Sequence, residues 1–281
     1  MSFMDRIEEC NARDPGGFLP FAVDGRRVGR VATRVAGLLE AHPEAFAVAE
    51  DGVTLAAGLD GYEARTRAVD AALRALRDAG EIPEWCDEPY PVGTAFHETP
   101  LFQIERAAAS RFGVRAYGVH VNAFVRRDDG IHMWIARRAR GKATYPGLLD
   151  NAIAGGQPVG IGLMENVIKE AGEEAGVPAA LARRAIAIGA VTYTRQEGEK
   201  TMPDVLFNYD LELPPDFTPR NTDGEVEEFM LLPAAEVMRI TEHTREFKFN
   251  CALVNIDFFI RHGLLAPEHP DYLAIQAGLR R

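Results

Sequence analysis

The sequence is poor in cysteine and lacks long apolar runs. Its 281 residues include 3 cysteines, Cys10, Cys86 and Cys251, whose odd number and wide spacing fit neither a disulfide framework nor a paired zinc motif. This pattern is typical of a reducing compartment, so we expect a cytoplasmic protein. No stretch approaches the roughly 20 apolar residues of a membrane span, and the acidic start lacks the basic flank of a signal peptide. We therefore expect neither export nor membrane anchoring.

An excess of positive charge is also missing. The formal net charge is -11, and such a surface repels both the nucleic-acid backbone and anionic membranes. We therefore expect no nucleic acid polymer and no membrane as a partner. An anionic small molecule would need local neutralisation by a metal ion or by clustered lysine and arginine.

Several catalytic signatures are absent as well. The sequence has no G-x-S-x-G motif for a serine nucleophile, and its glycine-rich turns match neither the P-loop nor the dinucleotide fingerprint. None of its 7 histidines forms a ligand-spaced pair, and we expect His120, in a strand, to be structural. The sequence therefore carries no signature of a covalent nucleophile.

The hydrophobic pattern changes near Arg115, which predicts one domain over residues 1–115 and a second over 116–281. In the first domain, apolar spacing predicts helices at 3–13, 28–41 and 62–79, a hairpin at 46–56 with a positive φ at Gly52, and a loop at 82–91. In the second domain, it predicts strands near 117–126, 131–138, 185–195, 204–213 and 226–232, with helices near 163–175, 233–240 and 250–262. The first domain is thus a compact α+β unit, and the second is a mixed sheet covered by helices.

The most informative segment is the predicted helix at 163–175. Glu170, Glu173 and Glu174 stand at i, i+3 and i+4, so their carboxylates share one face. Like charges repel there, whereas carboxylate oxygens suit Mg²⁺ or Mn²⁺. Gly172, inside the helix, costs about 1 kcal/mol relative to alanine, and we expect close packing at that point. A solvated acidic face is the alternative interpretation.

The segment from Gly155 to Val177 resembles the Nudix box, G-x5-E-x7-R-E-U-x-E-E-x-G-U, where U is a bulky aliphatic residue. Gly155 matches the first glycine, and the three glutamates match the second half of the box. Three positions depart from the pattern, because Ile161, Lys169 and Ala171 stand where the box has glutamate, arginine and a larger aliphatic residue. The resemblance implies an α+β fold with a Nudix-type mixed β-sheet sandwiched by helices (α/β/α), preceded by a smaller α+β N-terminal domain.

The resemblance also extends to one Nudix subgroup. Segments 112–122 and 133–138, together with Tyr145-Pro146-Gly147, look like a subgroup that pairs the hydrolase with an uncharacterised N-terminal domain and is fused to thiamin pyrophosphokinase in some fungi. This implies a Mg²⁺- or Mn²⁺-dependent diphosphate hydrolase acting on a small molecule such as thiamin diphosphate or a damaged analogue. An oxidised nucleoside diphosphate hydrolase and a non-catalytic ligand-binding module are the alternatives. Members of the family commonly form homodimers, so the resemblance also implies a homodimer.

The resemblance assigns roles to individual residues. The implied metal ligands are Glu170, Glu173, Glu174 and Gly155. The implied catalytic residues are Glu174, Glu173 and, on a late acidic loop, Glu225. Candidate substrate contacts are Arg137, Lys142, Tyr145, Asp150, Asn151 and Lys169. Exposed charge at a strand end is the alternative for Arg137 and Lys142, and setting a turn is the alternative for Asp150 and Asn151.

Overall fold

The computed structural model describes residues 1–14, 16–142 and 144–281. The helices in these ranges are α1 (Phe3–Cys10), α2 (Thr33–Leu39), α3 (Gly61–Asp78), α4 (Arg106–Ala109), α5 (Leu163–Ala175), α6 (Ala179–Ala182), α7 (Ala234–His243), α8 (Phe249–Arg261) and α9 (Tyr272–Gly278). The strands are β1 (Phe18–Val23), β2 (Arg26–Ala32), β3 (Phe46–Ala49), β4 (Gly52–Leu55), β5 (Pro89–Val92), β6 (Phe102–Glu105), β7 (Tyr117–Arg127), β8 (Gly130–Arg138), β9 (Leu149–Asn151), β10 (Ile153–Gly156), β11 (Ile186–Glu197), β12 (Lys200–Glu212) and β13 (Val226–Pro233). No helix in the described ranges has both the length and the apolar character needed to cross a membrane.

The first half of the chain builds its own apolar core. Four strands form a sheet in the order β2-β1-β4-β3, and β5 and β6 form a separate antiparallel pair. The rings of Phe21 and Phe112 pack edge to face with centroids 5.4 Å apart, and Phe46 and Phe102 complete an aromatic centre around them. Burial of these large rings stabilises this core.

The second half is a mixed sheet between two layers of helices. The sheet follows the order β11-β12-β7-β8-β13, with β10 on β7 and β9 on β8. Strand β12 runs parallel to β7, whereas β8 and β10 run antiparallel to it. Alternate residues of β7 supply the two faces, since Val121 packs with α5 and Phe124 packs with α8. The predicted fold class is confirmed.

Some local predictions were wrong. Residues 28–41 do not form one helix, because Arg26–Ala32 is strand β2 and only Thr33–Leu39 is helical. Strand β1, which the sequence pattern did not reveal, provides the partner that draws Val28 and Val31 into a sheet. Residues 89–91 of the predicted loop belong to strand β5. The hairpin of β3 and β4 is present, but Gly52 does not have a positive φ.

Helix α1 does not pack in the core of the N-terminal half. Phe3 and Ile7 are buried with residues of α8 and α9, and the ring centroids of Phe3 and Phe259 are 6.3 Å apart. The first helix therefore belongs physically to the second core, although the predicted domain division assigns it to the first. It ties the start of the chain to its end.

Strand β2 lies very close to the segment that joins the two halves. The Arg30 amide donates a hydrogen bond to the Phe112 carbonyl at 2.9 Å. A Cβ atom on Gly29 would lie 2.2 Å from that same carbonyl oxygen, a distance that real side chains do not tolerate. Glycine at this position allows the two backbones to touch.

We predict that Gly29→Ala destabilises the protein, because its methyl group would push β2 away from Phe112. Overpacking of this kind costs about 1–3 kcal/mol. The matched control is Gly37→Ala in α2, where an added Cβ meets no atom within 4 Å and helix propensity favours alanine by up to about 1 kcal/mol. Thermal unfolding of both variants checks this, and equal melting temperatures would contradict it.

Candidate active site

Helix α5 directs two of the three glutamates that match the box towards the sheet. Glu170 and Glu174 are 9% and 8% exposed, and Oε2 of Glu174 accepts a hydrogen bond from the Ala154 amide of β10 at 2.8 Å. The side chain of Glu173 is 53% exposed. The buried pair and the exposed glutamate thus occupy different environments on one helical turn.

Gly155 lies directly against Glu170. A Cβ atom added to Gly155 would lie 2.2 Å from Cδ of Glu170 and 2.4 Å from its Oε1. Only glycine lets the carboxylate rest on the backbone of β10 here. The carboxylates of Glu170 and Glu174 therefore gather beside the first glycine of the box.

Burial raises the pKa of both inward glutamates. For Glu174 the loss of hydration is the largest cause, and the charges of Asp150 and Glu170 add to it, while the Ala154 amide and Lys142 oppose it. For Glu170 burial is again the largest cause, and Lys169 opposes it. Two poorly hydrated carboxylates with few compensating charges fit a hard divalent cation, because such an ion would stabilise both ionised forms.

Lys169 lies between the carboxylates of Glu170 and Glu173. Its Nζ lies 3.0 Å from Glu170 Oε1 and 3.0 Å from Glu173 Oε2. Within the described residues, the one trio of metal-ligand groups whose atoms lie within 4.8 Å of one another is His120, Asp150 and Cys251, not the three glutamates. The glutamate set as arranged around Lys169 is therefore not a closed metal cage.

The predicted cationic contacts form ion pairs near the end of β8. Lys142 Nζ contacts Glu225 Oε2, which links two predicted site residues, and the charge of Lys142 also acts on Glu174. Arg137 pairs with Glu228 at 3.0 Å. The structure thus brings Lys142 and Glu225 together, whereas Arg137 is engaged with the neighbouring strand.

Asp150 and Asn151 are engaged inside the fold. Asp150 accepts from Arg138 at 2.8 Å and from the Cys251 thiol at 2.7 Å. Asn151 Oδ1 lies 2.8 Å from Nδ1 of His120, and Asn151 Nδ2 donates to Asn255 Oδ1 at 2.9 Å. Every member of this network is buried, which favours the structural alternative for both residues. Arg138 neutralises Asp150. The trio of His120, Asp150 and Cys251 therefore has no excess negative charge to attract a cation.

Tyr145 lies on the side of the sheet covered by α8. Its hydroxyl donates to Glu197 at 3.0 Å, and its ring packs against Phe249 with centroids 5.4 Å apart. Its φ of 51° is unusual for a bulky residue and indicates a specifically held loop. The ring lines a cavity of about 100 Å³ together with Leu148 and Phe247.

The N-terminal half reaches the glycine turn, which the sequence pattern did not reveal. The Pro89 carbonyl accepts from the Val159 amide at 3.0 Å. The hydroxyl of buried Tyr90 is so close to Gly156 that a Cβ there would lie 1.6 Å from it. Both residues fall in the segment predicted as loop, and no periodicity marks such a contact.

The fold and the candidate site together define the class of protein. The protein pairs an α+β N-terminal unit with an α/β/α sandwich, in which a helix presses two carboxylates against a glycine-containing strand. Residues 2–116 match the family described as a domain of unknown function, DUF4743.

Similar proteins identify the family. Nudix hydrolase 20, chloroplastic, of Arabidopsis thaliana is 44% identical over 289 residues, which cover 99% of this chain and 77% of the relative. Nudix hydrolase 24, chloroplastic, of the same plant is 44% identical over 282 residues, with the same coverage of each chain. Among solved structures, DR0079 from Deinococcus radiodurans is 24% identical, covers 59% of this chain and 97% of its own, and has a TM-score of 0.43. The chain belongs to the Nudix hydrolase family, whose members act on diphosphate-containing substrates.

We predict that Gly155→Ala lowers metal-dependent diphosphatase activity at least tenfold while the protein remains folded, because the new methyl group would displace the Glu170 carboxylate. The matched control is Gly172→Ala in α5, the helix that carries Glu170. An added Cβ at Gly172 meets no atom within 4 Å, so the expectation of close packing there was wrong. The control should keep its activity and gain up to about 1 kcal/mol of stability. Equal activity of the two variants would contradict this assignment of Gly155.

We also predict that buried His120 makes the fold sensitive to acid. Burial lowers the pKa of His120 to about 4, with Lys248 and Arg138 acting in the same direction and with Asp150 and the Asn151 hydrogen bond opposing them. The unfolded chain binds this proton near pH 6.5 and the folded chain near pH 4. Stability should therefore fall as the pH drops from 6.5 to 4, by about 1.4 kcal/mol for each unit of pKa difference.

Urea unfolding at several pH values measures this effect. His120→Gln should lose less stability than the wild type between pH 6.5 and 4, whereas His97→Gln, at an exposed position, should follow the wild type. Identical pH profiles for His120→Gln and the wild type would rule out His120 as the source.

Proposed function

We propose that this chain hydrolyses a diphosphate bond in a small phosphorylated molecule with the help of Mg²⁺ or Mn²⁺. The observation that supports it most directly is the pair of buried carboxylates, Glu170 and Glu174, set against the backbone of β10 at Gly155 and Ala154 respectively. Together with the family membership, this pair favours a hydrolase over a non-catalytic module.

The three glutamates of α5 that match the box each have a proposed task. Glu170 and Glu174, with the carbonyl of Gly155, would hold the metal, and Glu173 would complete the set from the exposed side of the helix. The bound ion would neutralise charge on the phosphoryl oxygens and polarise the bond that breaks. Glu174 is fixed at one oxygen by the Ala154 amide, and its other oxygen would orient and deprotonate the attacking water.

Cationic side chains would bind the substrate phosphates. Lys169 contacts Glu170 and Glu173 at 3.0 Å, and we propose that it turns to a phosphate oxygen when the metal takes its place. Lys142 and Glu225 form an ion pair that would act as a unit, with the lysine on phosphate and Glu225 as an additional acid or base. Arg137 would contribute longer-range positive charge. Tyr145, Asp150 and Asn151 would shape the loop and strand that carry these groups.

The proposed substrate is thiamin diphosphate or a damaged analogue of it. This proposal follows from the subgroup that segments 112–122 and 133–138 resemble. A nucleoside diphosphate, oxidised or not, is the competing substrate class. We further propose that the protein works as a homodimer in the cytoplasm, where its three free cysteines would stay reduced.

A panel of diphosphates tests the activity and the substrate together. Thiamin diphosphate, an oxidised thiamin diphosphate, ADP, an oxidised GDP and ADP-ribose would each be incubated with enzyme and Mg²⁺ or Mn²⁺, and the released phosphate or monophosphate would be quantified. We expect thiamin compounds to give the highest kcat/KM. Glu174→Gln should lower kcat at least 100-fold, as expected when a group acting in the transition state is lost.

The matched control is Glu165→Gln on the same helix, since Glu165 is exposed and has no proposed contact with the metal. It should retain wild-type activity. Faster hydrolysis of nucleotides than of thiamin compounds would overturn the substrate assignment. Absence of hydrolysis with either metal, together with ligand binding that the Glu173→Gln, Glu174→Gln double variant leaves unchanged, would overturn the enzyme assignment.

A further inference from the structure

A second feature of the molecule suggests an anion site away from α5. A cleft of about 260 Å³ opens between the N-terminal half and the end of the β11–β12 hairpin. Four arginines line it, namely Arg13, Arg27, Arg30 and Arg115, and among the described residues that line it none is acidic. In a chain of net charge -11, such a concentration of one sign needs an explanation.

Three of these arginines have no acidic partner. Within the part of the chain that the structure describes, Arg13, Arg27 and Arg115 form no ion pair at 4.0 Å or less. Arg26, the neighbour of Arg27, does pair with Glu98, so acidic groups are available on the same surface. Burial lowers the pKa of Arg30, and the positive charges of Arg27 and Arg13 add to that effect. The positive charges of Arg13, Arg27 and Arg115 are therefore not paired with an acidic group in the described ranges.

A polar group at the wall of the cleft is also unsatisfied. Thr201 lines the cleft and is 1% exposed, and its Oγ1 has no hydrogen-bond partner among the described residues. A buried hydroxyl without a partner carries a free-energy cost, and native proteins rarely leave one in that state. A ligand oxygen in the cleft would remove this cost.

We propose that the cleft binds a phosphate or diphosphate group of a small molecule. Arginine guanidinium groups match phosphate oxygens with two parallel hydrogen bonds, and the Thr201 hydroxyl would donate a further one. No residue of α5 or β10 lines the cleft, so this site is separate from the proposed catalytic one and does not depend on it. The N-terminal unit would thus supply Arg27 and Arg30 to a ligand site that it shares with the hydrolase sheet.

Calorimetric titration of the full chain with inorganic pyrophosphate tests this proposal. The titration would be done in a metal chelator, so that no metal-bound phosphate forms at α5, and at low ionic strength, where charge contacts are least screened. We expect one binding event. Thr201→Val, which keeps the shape and removes the hydroxyl, should weaken it about threefold, in line with the loss of one hydrogen bond.

The Arg27→Gln, Arg115→Gln double variant should weaken binding at least tenfold. Its matched control is Arg183→Gln, Arg184→Gln, because both arginines are exposed and lie outside the cleft, so the net charge changes equally. The control should bind pyrophosphate like the wild type. Thr201→Val should also retain metal-dependent hydrolysis, which separates a failure here from a failure of the proposed activity. No binding by the wild type, or equal losses in the double variant and its control, would overturn the proposal.

Discussion

The carboxylates of Glu170 and Glu174 are held almost out of water against the backbone of β10, and contacts with two residues of that strand keep them there. The Ala154 amide fixes one, and the missing side chain of Gly155 makes room for the other. Burying two like charges that act on each other is unfavourable unless a cation compensates them. The nearby positive charge therefore does not compensate both carboxylates, and Lys169 compensates them only in part.

Two separate regions of the N-terminal half contact the C-terminal half. Helix α1 packs against α8 and α9, while Pro89 and Tyr90 support the glycine turn that leads into α5. The turn would lose a hydrogen bond and a buried ring if the N-terminal unit were removed. We infer that this unit acts as part of the framework of the active site rather than as an independent attachment.

How far the sequence predicts this structure depends on how local each signal is. Helix α5 and strands β7 and β8 have strong periodicity, so their predicted positions agree closely with the structure. The helix expected at 28–41 was wrong, because pairing with β1 outweighs the helical spacing of Val28 and Val31. The spacing of the glutamates gave a shared face, but it could not show that Glu173 remains exposed or that Asp150 is neutralised by Arg138. Those features depend on contacts between residues that are distant in sequence.

The central claim is that Glu170 and Glu174 form a cation site, and Mn²⁺ binding measured by electron paramagnetic resonance tests it without any substrate. The wild type should bind one Mn²⁺ ion, and a Glu170→Gln, Glu174→Gln double variant should bind it at least tenfold more weakly, since both ionised ligands are lost. Equal affinity in the two proteins, or no binding by the wild type, would contradict the account.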